Sequence, residues 1–547
     1  MKYLRTFLLA SALSISLLLP SLAQQRTLTK DDTLRGTVTP EREWWDLRYY
    51  HLNVKVDPAS KALSGSVAVH YKVLKPYQTL QLDLQPPLVI EKVTQDGETL
   101  TFEKAGTNAY FIALKKAQQK DQTGSVVVYY SGNPIVAKNP PWQGGFQWTK
   151  DNEGNDFIAT SCQGLGASAW WPCKDHMYDE PDSMLISVTV PENLTDVSNG
   201  RLRRETVNND GTKTFDWFVS NPINNYGVNV NIAKYTHFSD TLHGEKGVLD
   251  LDFYVLPANL EKAKEQFKQA KLMLRAFEHW FGPYPFYEDG YKLVETPYLG
   301  MEHQSSVTYG NGYTNGYRGR DLSGSGWGLK WDFIIIHESG HEWYANNITY
   351  KDMADMWVHE SFTNYSENLY TEYYFGKKAG AEYVIGTRKG IRNDRPIVGT
   401  YNVNRSGSGD MYPKGGNMLH TIRQIVDNDE KWRQVLRDMN KTFYHQTVEG
   451  KQIENFISQK TGKNLSKVFD QYLRDIRIPE LEYKIIKGKL TYRWANCVEG
   501  FDMPVKISAG RNNFKFIYPA TTWKTEKIKG DSIVVDENFY VTAKMVE

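Results

Sequence analysis

The chain has 547 residues, 40% hydrophobic and 24% charged, which is ordinary globular usage and excludes a disordered, collagen-like or coiled-coil protein. Lys+Arg is 65 against Asp+Glu 64, a formal charge of +1, so no global basic field points to a nucleic-acid partner. At ~150 residues per domain the length predicts three or four domains.

The first element reads as an export signal. Lys2 and Arg5 give a basic start, residues 7–19 an apolar run, and Pro20 breaks it. Ser21-Leu22-Ala23 then offers small residues for cleavage before Gln24, making residues 1–23 a signal peptide. The run is shorter than the ~20 residues a membrane span needs, and no Cys follows it to carry a lipid. Losing Lys2 and Arg5 takes the formal charge from +1 to −1. No later apolar stretch reaches spanning length. The expectation is an exported protein, periplasmic or secreted, with no membrane anchor after signal removal. Cys162, Cys173 and Cys497 allow at most one intramolecular disulfide. A Cys162–Cys173 bridge is conceivable, and buried free thiols are the expected state.

Residues 24–254 read as an antiparallel β domain. Leu63, Val67, Val69, Tyr71 and Val73 alternate at period two, and residues 126–129 and 185–190 are similar runs. Asn209-Asp210-Gly211 and Ser131-Gly132-Asn133 read as turns between strands. The pattern switches near Pro257. Leu260, Ala263, Phe267, Ala270, Leu274, Phe277 and Phe281 mark one face of an amphipathic helix that Gly282-Pro283 stops. Helical patterns fill residues 255–478. Residues 479–547 return to β-type runs, such as 514–518 and 532–535, enough for a small β-sandwich.

Within the helical block, His337-Glu338-Ser339-Gly340-His341 places two imidazoles four residues apart, on one face of a helix. Zinc suits two neutral imidazoles plus one carboxylate, with an open position for water. Glu338 adjoins the first ligand and is placed to act on that water. The apolar residues 333–336 before it fit a buried helix, in which two imidazoles need partners. A third ligand comes from the next helical pattern, where Glu360 and His359 compete and spacing does not choose between them.

From His337 to Glu367 the chain resembles the zinc aminopeptidases of the aminopeptidase N and leukotriene hydrolase family (peptidase family M1). In that family eighteen residues separate His-Glu-x-x-His from a Glu ligand, as His341 and Glu360 are separated here. The family's Trp-x-x-Glu-Gly-Phe reads Trp357-Val358-His359-Glu360-Ser361-Phe362. The resemblance thus implies one Zn2+ held by His337, His341 and Glu360, with Glu338 as general base. The Gly-x-Met-Glu-Asn signature reads Leu299-Gly300-Met301-Glu302-His303. It implies that Glu302 anchors the substrate α-ammonium beside Gly300 and Met301, and Tyr298 is expected to line the first side-chain pocket. Thr160-Ser161-Cys162-Gln163-Gly164 resembles the β-domain segment that gives the amine a second partner, here Gln163. Tyr412-Pro413-Lys414-Gly415 resembles Tyr-x-Lys-Gly, implying Tyr412 as the oxyanion donor; Pro413 favours a helix that starts after it.

The resemblance implies a multidomain α+β protein: β domain, thermolysin-like zinc domain, small C-terminal β-sandwich. The implied activity is release of N-terminal amino acids from peptides with a free amine. Many relatives carry a further long helical domain that helps close the cavity; no such pattern follows the third block, which implies a more open site or closure by a second subunit. Three other readings share part of the motif set: a thermolysin-type endopeptidase, a leukotriene-type epoxide hydrolase and a zinc-stabilised binding protein. A structural zinc site needs neither Glu338 nor Tyr412.

Overall fold

Period-two alternation near the start of the chain builds a sheet. The computed structural model describes residues 28–509 and 513–547; the expected signal peptide, 1–23, lies outside them. Leu63, Val67, Val69, Tyr71 and Val73 are buried along one face of the strand Ala62–Val73. That strand lies inside a ten-stranded sheet that runs from Arg201–Val207 at one edge to Tyr77–Asp83 at the other. Contrary to the expected antiparallel domain, the sheet contains one parallel pair. Residues 49–55 pair in parallel with 183–189, which the long excursion between these strands permits. Ser131 and Gly132, expected in a turn, end the strand Thr123–Gly132. A four-stranded sheet shares the core, and its strand Asp156–Ser161 leads directly to Gln163. Ahead of both sheets lie two short helices, α1 (Lys30–Gly36) and α2 (Pro40–Glu43).

The second block opens with strands, not with a helix. Thr236–Gly244 and Gly247–Val255 join Tyr291–Glu295, Val307–Tyr309 and Gly300–Met301 in one five-stranded sheet. Residues 251–254 pair with 291–294, and Leu242, Leu249 and Leu251 belong to the core of the second block. The hydrogen-bonded boundary therefore falls between Ala233 and Thr236 rather than at 254.

The helical face predicted over 260–281 is two helices, α3 (Leu260–Gln266) and α4 (Lys268–Phe281). They meet at Phe267, whose ring enters an aromatic cluster with Phe253 at 5.4 Å and Tyr309 at 5.0 Å. Gly282, at φ 95°, ends α4. The zinc motif lies on α5 (Phe333–Gly340), followed by α6 (Trp357–Phe375), α7 (Lys377–Gly386) and α8 (Pro413–Val426).

The last block forms a four-stranded and a three-stranded sheet. Its Trp494, Phe501, Met503 and Phe539 join Ile422 and Leu473 of the helical block in one continuous core. Among the described residues, no helix is long and apolar enough to cross a membrane. Cys162, Cys173 and Cys497 are free thiols, the first two buried.

Candidate metal centre and substrate cleft

Asp332 caps α5: its carboxylate accepts from the Ile334 and Ile335 amides at 3.0 and 3.3 Å. The capped helix carries its apolar face into the core and presents His337 and Glu338 to a cleft of about 620 Å3. The helix proper ends at Gly340, but His341 keeps helical dihedrals (φ −66°, ψ −17°) and so stays on the same face. Residues 342–346 then form a wide irregular turn that leads to α6.

Position separates the two candidates for a third ligand. Glu360, one turn into α6, aims Oε2 at His341 Nε2 (3.4 Å) and His337 Nε2 (3.9 Å). His359 points away, its Nε2 accepting from the Tyr350 amide at 3.0 Å. Donor atoms of His337, His341 and Glu360 lie within 4.8 Å of one another. Glu360 Oε2 is buried and accepts no hydrogen bond of ordinary geometry, an expensive state for a carboxylate oxygen unless a cation meets it.

The electrostatics agree. Burial lowers the His341 pKa, but the charges of Glu360 and Glu302 outweigh it and raise it to about 10. Burial likewise opposes ionisation of Glu360, yet His341, His337 and the Gln163 amide hold its pKa at about 2. The field therefore favours positive charge where the two imidazoles face. Two imidazoles and one carboxylate form a zinc donor set, and the residues present fit that ion. Each imidazole is oriented from behind. Glu367 Oε1 lies 2.7 Å from His337 Nδ1. The Tyr344 carbonyl and the Thr363 hydroxyl lie 2.9 and 3.0 Å from His341 Nδ1.

Glu338 has no hydrogen-bond partner among the described residues and lines the cleft. Burial, with Glu302 and Glu360 nearby, raises its pKa to about 7 against the pull of His337 and His341. Gly300 and Met301 form the sheet edge against α5. A Cβ at Gly300 would fall 2.5 Å from Ile334 Cγ2, so only glycine allows this approach. Glu302 follows, 3% exposed. It accepts from Gln163 Nε2 at 2.6 Å and from the Tyr226 hydroxyl at 3.1 Å. The same Gln163 nitrogen donates to Glu360 Oε1 at 2.9 Å.

Tyr412 precedes α8, and its ring stacks on His337 with centroids 6.1 Å apart. Burial, with Glu360 and Glu302 close by, keeps its phenol protonated. Ser361, where the family pattern has Gly, donates to the Met411 carbonyl at 2.8 Å. A Cβ on Gly415 would sit 2.0 Å from that hydroxyl, so Ser361 and Gly415 together set the contact of α6 with α8.

One expected residue lies elsewhere. Tyr298 does not line the cleft. It is 4% exposed, its hydroxyl bonded to the Thr160 carbonyl at 2.7 Å and to Thr308 Oγ1 at 3.1 Å, inside the core of the β domain. The apolar lining comes instead from Trp142, Leu299, Tyr317, Leu322 and Phe333. His303, in place of the family's Asn, is fully buried and held neutral by burial, at a pKa of about 3. Sequence reasoning missed Glu367, which stands seven residues after Glu360 on the same helix face, and Tyr226, which no spacing connects to the site.

Residues 266–472 match the peptidase family M1 domain, and residues 47–226 match the peptidase M1 N-terminal domain. Aminopeptidase N of Lactococcus lactis subsp. lactis is 23% identical over 483 residues, which cover 81% of this chain and 52% of that protein. Leukotriene A-4 hydrolase of Xenopus laevis is 21% identical, over 77% of this chain and 68% of that protein. Probable aminopeptidase 2 of Sulfurisphaera tokodaii is 22% identical, over 61% of this chain and 43% of that protein. The chain spans about half the length of several curated relatives it matches. Among solved structures, an M1 zinc metallopeptidase from Deinococcus radiodurans superposes with a TM-score of 0.67 at 21% identity, covering 80% of this chain and 94% of that one. A mutant of that protein bound to a Tyr-Ser-Ala substrate gives a TM-score of 0.65 at 20% identity, covering 79% of this chain and 95% of that one.

Proposed function

The chain belongs to peptidase family M1, and on that premise we propose that it is a zinc aminopeptidase that releases N-terminal residues from peptides with a free amine. One observation carries the reading: a single amide, Gln163 Nε2, joins Glu302 at 2.6 Å to Glu360 at 2.9 Å. A substrate α-ammonium is largely protonated near neutral pH. A carboxylate fixed beside His337, His341 and Glu360 would bind that charge and so select the first peptide bond over later ones.

His337, His341 and Glu360 would hold the zinc ion, which would supply Lewis acidity to this end of the cleft. Glu338 takes the proton from the attacking water and passes it to the leaving amine. The Tyr412 phenol donates to the developing oxyanion. The edge strand Gly300–Met301 offers backbone groups along the extended substrate, and Gln163 and Tyr226 keep the Glu302 carboxylate in place.

Aminoacyl-anilides with a free and with an acetylated amine test this reading on the wild-type protein. The free-amine substrate is expected to turn over and the acetylated one not, and Glu302→Ala should raise KM for the former by about 10–100-fold. Equal cleavage of both substrates would overturn it. The basic start and apolar run before Gln24 support export to the periplasm or the medium, checked by sequencing the N-terminus of the exported protein.

A further inference from the structure

Gln163 sits on a loop that turns through Gly164 and Gly166, both at positive φ (71° and 87°). The Leu165 amide bonds the Gln163 carbonyl and the Gly166 amide bonds the Cys162 carbonyl, which leaves the carbonyls of Gly164 and Leu165 facing away from the cleft. Both are taken by one distant side chain. Arg35 Nη2, from the end of α1, donates to the Gly164 carbonyl at 3.2 Å and to the Leu165 carbonyl. Arg35 Nε lies 3.6 Å from Asp175 Oδ2. Gln85 and Asn404 add one neutral bond each to the same carbonyls, at 2.8 and 3.5 Å.

The helix that carries Arg35 is fixed on both sides. Asp31 accepts from the Thr107 amide of the β domain at 2.9 Å. Gly36 lies against the catalytic block, where a Cβ would fall 2.4 Å from the Asn404 nitrogen. Arg42, fully buried, donates to the Leu34, Arg35 and Thr37 carbonyls and pairs with Asp83 at 2.5 Å. Residues 30–43 thus form a strap across the two blocks, directly behind the Gln163 loop.

We propose that Arg35 is a positioning residue for the amine site: it holds loop 163–166 so that the Gln163 amide reaches Glu302 and Glu360 together. The inference rests on the aminopeptidase reading of that site. A guanidinium suits the task because its Nη2 meets both carbonyls while its Nε, fixed in the same plane, faces the Asp175 carboxylate at 3.6 Å; an ammonium has no second nitrogen to do so.

The test is a double-mutant cycle on the full zinc-loaded enzyme, with a free-amine aminoacyl-anilide as substrate. Arg35→Met is expected to raise KM about tenfold, the loss of ~1.4 kcal/mol, with kcat within about twofold and zinc content unchanged. Arg35→Lys should recover part of the loss. In a Gln163→Ala background, Arg35→Met should add nothing, because its effect runs through the amide already removed. A wild-type KM in Arg35→Met, or losses that multiply in the double variant, would overturn the proposal. So would a fall in kcat that tracks lost zinc. Should Arg35→Met melt early, Arg35→Lys carries the cycle: an intermediate KM that vanishes in the Gln163→Ala background supports the inference, and a wild-type KM overturns it. Failure of the aminopeptidase reading shows separately, in wild-type cleavage of the acetylated substrate.

Discussion

The two walls of the cleft are held by different means. The zinc wall stands on α5 and α6, where His337 and His341 are one turn apart and each imidazole is backed by a neighbour, such as Glu367 at 2.7 Å. The amine wall is assembled from three distant segments: the Gln163 loop, the Glu302 edge and Tyr226. Helical geometry makes the first wall rigid with little outside help. The second depends on long-range contacts, and each tie lost should loosen it by a modest step. On the proposed aminopeptidase reading, the difference teaches where to look for function: chemistry on the local wall, and selection of the substrate end on the assembled one.

Variants graded by expected effect test that division. Glu338→Gln removes the base from the zinc wall, so kcat should fall by about 10^3-fold while zinc stoichiometry, read by metal analysis, stays at one. Tyr412→Phe should cost about 10^2-fold in kcat with little change in KM, measured by steady-state kinetics. Glu367→Gln leaves the ligands in place but weakens the support of His337; zinc affinity, read by chelator competition, should drop about 10-fold or more. Tyr226→Phe deletes one hydrogen bond to Glu302, worth ~1 kcal/mol, and should appear as a several-fold rise in KM alone. The division breaks if Tyr226→Phe lowers kcat more than KM rises, because both walls would then serve the chemical step.

The local wall was the more legible one. Two histidines four apart on an apolar run, a helix stop at Gly282 and the Tyr412-Pro413 helix start all act through neighbouring residues, and each stands where expected. Glu367 was readable too, since it lies two turns beyond Glu360 on α6. Other features had no local trace. The strands of 236–255 alternate in the same way whichever sheet they join, and their partner, Tyr291–Glu295, comes later in the chain. The 3,4 spacing through Phe267 is the same for a straight helix and for one bent at that residue. The offset from Glu302 places Tyr298 at the cleft, but the chain bends at 297–299 and its side chain turns to the Thr160 carbonyl on the β-domain side. Tyr226 and Arg35 reach the site only through the tertiary fold.

The continuous core of the second and third blocks carries a thermodynamic consequence. Tyr472 bonds the Tyr540 carbonyl at 2.7 Å, the Tyr540 amide bonds Thr421 at 3.1 Å, and His420 lies 2.9 Å from Asn538. The small sandwich therefore braces α8, the helix that starts beside Tyr412. Calorimetry should find these two blocks melting as one cooperative unit, giving two heat-absorption peaks for three blocks of chain. Added zinc, which binds only the folded centre, should shift the peak of the joined blocks upward, so the sandwich would share in a stabilisation that originates at a metal it never touches.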